Sequence, residues 1–168
     1  GDEVSAIGDL NGDGIADLVV AASSASPNGT ISGAAYVVFG STAAFPPTLD
    51  VSGLSGSDGF RINGADAGDR LGEGVASAGD VNGDGFDDLI VAAPFADPVS
   101  SPNVLTDAGS TYLIFGTSSF SSVFQLGSLL NGTNGFRLDG VTAGDKSGDN
   151  GAVSRAGDLN GDGIADLV

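Results

Sequence analysis

Gly79-Asp-Val-Asn-Gly-Asp-Gly-Phe-Asp-Asp-Leu-Ile90 returns as Gly-Asp-Leu-Asn-Gly-Asp-Gly-Ile-Ala-Asp-Leu-Val at 8–19 and again at 157–168. Recurrence on this scale marks a repeat architecture, in which each unit leans on its neighbours. The three copies begin 71 and 78 residues apart. Between them, Gly33-Ala-Ala-Tyr-Val-Val-Phe-Gly40 matches Gly109-Ser-Thr-Tyr-Leu-Ile-Phe-Gly116, and Gly59-Phe-Arg-Ile-Asn-Gly64 matches Gly135-Phe-Arg-Leu-Asp-Gly140, both pairs 76 apart. The period thus changes by insertion, with five extra residues within 94–107 and two more between Asp145 and Gly157. Whole elements repeat, and only loops grow.

Each unit reads as four short strands, placed in the second copy around Val75 to Ala78, Asp88 to Ala93, Thr111 to Phe115 and Gly135 to Leu138. Gly, Pro, Asn or Asp clusters bound every one of them. Leu89-Ile-Val-Ala-Ala93 and Tyr112-Leu-Ile-Phe115 are almost continuously apolar rather than alternating, so both faces of these strands are expected to be covered. Four-stranded units that need a neighbour on each face satisfy that need by stacking radially as propeller blades. A β-sandwich also strings short strands between turns, but it gives no reason for a twelve-residue segment to occur three times. The predicted fold is all-β, a partial β-propeller with blades of four antiparallel strands. Repeat 1 covers about 1–71, repeat 2 about 72–149, and an overlapping third hairpin 150–168.

Composition narrows the chemistry. The 168 residues include 29 Gly but no Cys, His, Met or Trp. A thiolate nucleophile, a zinc cluster and a Ser-His-Asp triad each need a side chain that is missing. The formal charge of −17 repels phosphate backbones and anionic headgroups, which argues against nucleic acid as a partner. Apolar runs reach only about six residues, against the roughly 20 needed for a membrane helix, so no membrane insertion is expected. Of the 22 acidic residues 20 are Asp, and only Glu3 and Glu73 are Glu. Asp suits turns and tight chelating loops where Glu suits helices, so the acidity points to loop chemistry.

The repeated segment spells D-x-N-G-D-G-x-x-D. Oxygen-bearing side chains fall at loop positions 1, 3, 5 and 9: Asp9, Asn11, Asp13 and Asp17; Asp80, Asn82, Asp84 and Asp88; Asp158, Asn160, Asp162 and Asp166. In a curled loop alternate side chains point inward, the glycine at position 6 permits a sharp turn, and position 7 (Ile15, Phe86, Ile164) offers its carbonyl. Five protein oxygens of this hardness suit Ca2+ better than Mg2+, one ion per loop and three in all. Carboxylates about 5 Å apart repel by roughly 3 kcal/mol per pair at an effective dielectric near 20, so a cation would stabilise the compact loop. An ordinary Asx-rich hairpin turn accounts for one such loop but not for three alike. An EF-hand needs Glu at position 12, where this chain has Val20 and Val91, and it needs flanking helices; a dockerin-like reading fails for want of a helical segment.

The loops, with Leu71-Gly-Glu-Gly-Val-Ala-Ser-Ala-Gly79 before the second and Asp88-Leu-Ile-Val-Ala-Ala-Pro94 closing it, resemble the FG-GAP repeats of integrin α-chain β-propellers and their bacterial relatives. The likeness spans essentially the whole chain. It implies that each Asp loop joins the first and second strands of a blade, that the loops bind calcium, and that seven blades close a ring. Leu71-Gly72 stands where Phe-Gly is usual and Ala92-Ala93-Pro94 where Gly-Ala-Pro is usual, while the first copy reads Val20-Ala-Ala-Ser23 without proline. A closed ring of this period needs roughly 400–500 residues, so the chain is expected to be an arc whose partners include the remaining blades of a longer parent.

Secondary candidates read as structural. Asp66, Asp69 and Asp145 belong to a recurring Ala-Gly-Asp turn between blades; Arg61 and Arg137 are expected to pair with nearby carboxylates; Tyr36, Tyr112, Phe39 and Phe115 are expected in the core between blades. Asn28-Gly-Thr30 and Asn131-Gly-Thr133 match the N-glycosylation pattern and are also turn signals. Strand alternation places the Asp loops on one rim and the loops 23–33, 94–109 and 139–151 on the other, the expected binding rim. The resulting expectation is a non-enzymatic, calcium-binding propeller segment of a secreted or cell-surface adhesion or binding protein, its partner an extracellular protein or glycan. Dissociation constants on the order of 0.1–1 mM would keep such loops filled outside cells. Three bound ions would take the charge from −17 to −11 (−17 plus three times +2). Alternatives are a non-catalytic arc of a polysaccharide hydrolase or lyase, or a spacer in a large surface protein.

Overall fold

The computed structural model describes residues 2–100, 102–126 and 130–167. Four antiparallel strands in sequential order make the first blade: β1 (Glu3–Gly8), β2 (Asp17–Ala22), β3 (Ala34–Val38) and β4 (Gly59–Asn63). The second blade repeats them as β5 (Gly74–Gly79), β6 (Asp88–Ala93), β9 (Ser110–Ile114) and β11 (Gly135–Asp139). A third hairpin follows, β12 (Arg155–Gly157) with β13 (Asp166–Leu167). All four strand positions expected for the second copy are present, with ends that differ by a residue or so.

In each hairpin the register slips one residue before the Asp loop, at Gly8, Gly79 and Gly157. These glycines have φ of 76°, 74° and 73°, a left-handed conformation that side chains resist, and the bulge they form aims the next residue, the first Asp, into the loop.

The main core lies between blades. Val19, Ala21, Val37, Phe60 and Ile62 of blade 1 pack in one cluster with Val75, Leu89, Val91, Tyr112 and Ile114 of blade 2. Phe60 is fully buried, worth about 2–3 kcal/mol in transfer terms, and stacks on Phe120 with ring centroids 4.3 Å apart. The opposite face of blade 2 carries Ala78, Ile90 and Leu113, against which Val153 and Leu167 of the third unit pack. Every residue of β6 is therefore buried, as the continuous apolar run predicts. The equivalent β2 alternates, because the face of blade 1 turned away from blade 2 leaves Val4 and Leu18 exposed. Tyr36 shares that open face and is half-exposed, whereas its counterpart Tyr112 is buried.

Two features were not legible in the repeat. Within the lengthened loop, β7 (Val99–Ser100) pairs with β8 (Asn103–Val104) as a miniature hairpin. Inside the second blade's long connection, β10 (Val123–Gln125) crosses back and adds in parallel to β4, the outer strand of blade 1. Its Phe124 enters the core between the blades.

The expectation that both repeated arginines pair with carboxylates holds only for the second. Arg137 Nη2 donates to Asp139 Oδ2 at 2.8 Å. At the equivalent place Arg61 has Asn63, which cannot supply the charge, and among the described residues Arg61 Nε and Asn63 Oδ1 are buried without partners.

Candidate metal centre

The three Asp loops share one internal wiring. In the first, Asp9 Oδ1 accepts the N–H groups of Gly12 and Asp13 at 2.8 and 3.0 Å, and Asp9 Oδ2 accepts that of Gly14 at 2.8 Å. Asn11 Oδ1 accepts from Asp13 N–H, and Asp13 Oδ1 from Ile15 N–H. Asp80, Asn82 and Asp84 repeat every one of these bonds in the second loop. So do Asp158, Asn160 and Asp162 in the third. The tight curl requires a left-handed residue at position 6, and Gly14, Gly85 and Gly163 supply it with φ of 85°, 93° and 88°. The N–H of Gly163, helped by those of Gly161 and Asp162, holds the Asp158 carboxyl below its usual range against the opposing cost of desolvation.

Position 9 plays a different part. Asp17 and Asp88 are buried, 2% and 0% exposed. Asp88 Oδ2 accepts from Val81 N–H and Oδ1 from Gly116 N–H, both at 2.9 Å. Asp17 does the same for Leu10 and Gly40. Each carboxylate thus ties its own loop to the end of the blade's third strand. Gly40 and Gly116 are functional partners that the sequence reading missed, although the recurrent Phe-Gly after the third strand was visible. Burial pushes the Asp88 carboxyl up to about 6, and it raises that of Asp17, while the two N–H donors oppose the shift in both. Asp166 differs: Leu159 N–H reaches its Oδ2 at 2.7 Å, but among the described residues its other oxygen has only Asn160 Nδ2 at 3.5 Å, and it is half-buried.

Among the described residues no three acidic side chains are gathered into a ready chelating cluster; the loop carboxylates face backbone N–H groups instead. The donor set nonetheless fits a hard cation. A carboxylate has about four lone-pair positions and an amide oxygen about two. Asp9 has three taken, Asp13 two, Asp17 two and Asn11 one, so each keeps an acceptor free. Asp13 Oδ2 is held only by Asn11 Nδ2 at 3.2 Å, a bond a cation can replace. The carbonyls of Ile15, Phe86 and Ile164 belong to the same loops.

The opposite rim contains the turns between blades. N–H groups of Gly68, Arg70 and Leu71 donate to carbonyls of Thr30, Ile31 and Ser32, and Gly144, Lys146 and Ser147 repeat the pattern on Thr106, Asp107 and Ala108. Arg70 and Lys146 each lie 4.5 Å from the Phe95 ring centre, so cation–π contact joins consecutive turns. Asp66 and Asp145 sit in these turns, and Asp145 accepts from Val141 and Thr142 N–H, the turn role expected of it. Asp69 is 6% exposed and accepts from Asp66 N–H at 3.2 Å.

Burial, with Asp66 and Asp97 nearby, pushes the Asp69 carboxyl from 3.8 up to about 6. The folded value exceeds the unfolded one, so the native state holds an extra proton between them. Stability from Asp69 is greatest below about pH 4 and falls as pH rises to about 6, by up to roughly 3 kcal/mol. In chelator the wild-type chain gains stability on going from pH 7 to 5, with Asp88 and Asp17 contributing as well, and Asp69→Asn removes the Asp69 share, roughly 1.4 kcal/mol, in urea titrations. An unchanged slope in the variant would contradict the assignment. The carboxyls held low, at Asp2, Asp50, Asp58 and Asp158, lose their contribution only below this window.

The family model of the FG-GAP repeat matches residues 3–38 and 71–114, the first three strands of each complete blade. Rat phosphatidylinositol-glycan-specific phospholipase D is 33% identical over 169 residues, covering 98% of this chain and 18% of that protein. The mouse protein of the same name is 37% identical over 65% of the chain and 12% of its own length. Integrin alpha-4 of Xenopus laevis is 39% identical over 88 residues, 51% of this chain and 8% of the integrin. The chain therefore spans less than a fifth of the relatives it matches. The two matched segments, each part of a four-stranded blade with its Asp loop between the first two strands, are FG-GAP repeats.

Proposed function

We propose that this chain is a calcium-binding propeller arc of a secreted or cell-surface adhesion or binding protein, with no catalytic residues of its own. One calcium ion per Asp loop would be held by the side chains at positions 1, 3, 5 and 9 and the carbonyl at position 7. Bound there, the ion supplies positive charge to a loop that concentrates three carboxylates. The carrying observation is the threefold recurrence of one donor set in one wired conformation. The integrin relative supports the adhesion reading, and the net charge of −17 argues against nucleic acid on electrostatic grounds. The extracellular partner, protein or glycan, would meet the rim formed by loops 23–33, 94–109 and 139–151. Among the described residues no helix is long and apolar enough to cross a membrane. Calorimetric titration of the chain tests the reading: calcium binds at about three sites with constants on the order of 0.1–1 mM, and magnesium binds much more weakly. Absence of calcium heats at millimolar concentration would reject it.

A second reading has its own support. The match to phosphatidylinositol-glycan-specific phospholipase D runs along nearly the whole chain, which favours an arc of a larger hydrolase whose catalytic groups lie elsewhere. The two readings share the calcium loops and differ only in what the parent protein does.

A further inference from the structure

Neighbouring Asp loops touch. Asp9 N–H donates to Asp87 Oδ2 at 2.8 Å, and Asp87 N–H returns a bond to Asp9 O at 3.1 Å. Thr117 N–H, at the end of the second blade's third strand, reaches Leu10 O at 3.0 Å. The Phe86 ring lies over Gly12, so closely that a Cβ there would fall 2.3 Å from Phe86 Cε1. Positions 7 and 8 of the second loop thus meet positions 4 and 1 of the first. The second and third loops repeat this contact in weaker form. Ala165 N–H donates to Asp80 O at 3.1 Å, and a Cβ at Gly83 would fall 3.7 Å from Ile164 Cδ1, but Ala165 has no carboxylate to receive the N–H of Asp80.

We infer that cation binding at the first two loops is positively coupled, and that Asp87 is the positioning residue that couples them. The inference rests on the calcium reading above. Asp9 is a ligand position of the first loop. Asp87 lies between two ligand positions of the second, the Phe86 carbonyl and the Asp88 carboxylate. Fixing Asp9 fixes the N–H that Asp87 receives, which seats Phe86 and Asp88; the second site then has less ordering left to complete. The Asp87 charge also draws cations toward both loops, while water and salt around these exposed loops screen the repulsion between the ions themselves. Linkage makes the effect reciprocal.

The test is a calcium titration of the full chain followed by 15N-detected NMR, reading the amides of Gly14, Gly85 and Gly163 as reporters of the three loops. In the wild type Gly14 and Gly85 respond with one shared midpoint. Disabling the first loop with Asp13→Ala raises the calcium midpoint of Gly85 about tenfold and moves that of Gly163 by less than about twofold. Asp84→Ala does the same to Gly14. Asp87→Ala separates the two midpoints, whereas Asp87→Asn, which keeps an acceptor oxygen, retains most of the coupling. If Asp13→Ala leaves the Gly85 midpoint in place, the coupling is refuted while calcium binding stands. If no glycine responds to calcium at all, the calcium reading fails and takes the coupling with it. The Asp13 and Asp84 variants decide the matter even if Asp87→Ala does not fold.

Discussion

Calcium at about 10 mM raises the melting temperature of the chain by about 8–30 °C over its value in chelator. That is a tenfold to hundredfold excess over dissociation constants of about 0.1–1 mM, so each site adds about 1.4–2.7 kcal/mol and three loops add about 4–8 kcal/mol. For a domain of this size one kcal/mol moves the midpoint by about 2–4 °C. Magnesium, which demands near-ideal octahedral geometry and sheds water reluctantly, produces a small fraction of the effect. Scanning calorimetry in calcium, magnesium and EDTA checks the expectation. A midpoint indifferent to calcium would mean that the N–H groups already wired to Asp9, Asp80 and Asp158 suffice to hold the loops.

The second large effect is independent of any ion. Asp88→Ala, measured in EDTA, destabilises the chain by about 3–5 kcal/mol, since it leaves the N–H groups of Val81 and Gly116 buried without an acceptor at a cost of about 1–3 kcal/mol each, together with a small cavity. Against a total stability of about 5–15 kcal/mol for a domain, this brings the second blade close to unfolding. Asp17→Ala behaves similarly. Asp166→Ala, at the same position of the repeat, costs only about 1 kcal/mol, because its carboxylate is half-buried and holds one good bond. Urea midpoints of the three variants make the comparison, and equal losses at Asp88 and Asp166 would show that burial and the Gly116 bond are not what matters.

Much of the fold was legible because the repeat copies local patterns. Gly135-Phe-Arg-Leu and Asp88-Leu-Ile-Val-Ala-Ala93 each carry their own strand and its turn signals, and the continuous apolar run of β6 correctly announced two covered faces. The position-6 glycines announced the curl of the Asp loops for the same reason. What depends on contacts between units was harder to see. Gly40 and Gly116 serve Asp17 and Asp88 across 23 and 28 residues, offsets that differ because the inserted hairpin lies between the partners. Asp87 looked like one more acid in an acidic loop, since its partner Asp9 is 78 residues away. Arg61 matched Arg137 in sequence, yet the change from Asp139 to Asn63 removed its counter-charge. Strand β10 had no counterpart in the first unit, and pairing with a distant edge leaves no periodic trace in three residues.

That returning strand alters how the arc bears mechanical load. Val123, Phe124 and Gln125 run parallel to Arg61, Ile62 and Asn63, with Phe124 seated between the blades. A force that drags blade 1 along its outer strand must shear this short ladder as a group and extract an aromatic ring as it does so. A blade fastened only by the flexible link at its end would instead peel away one contact at a time.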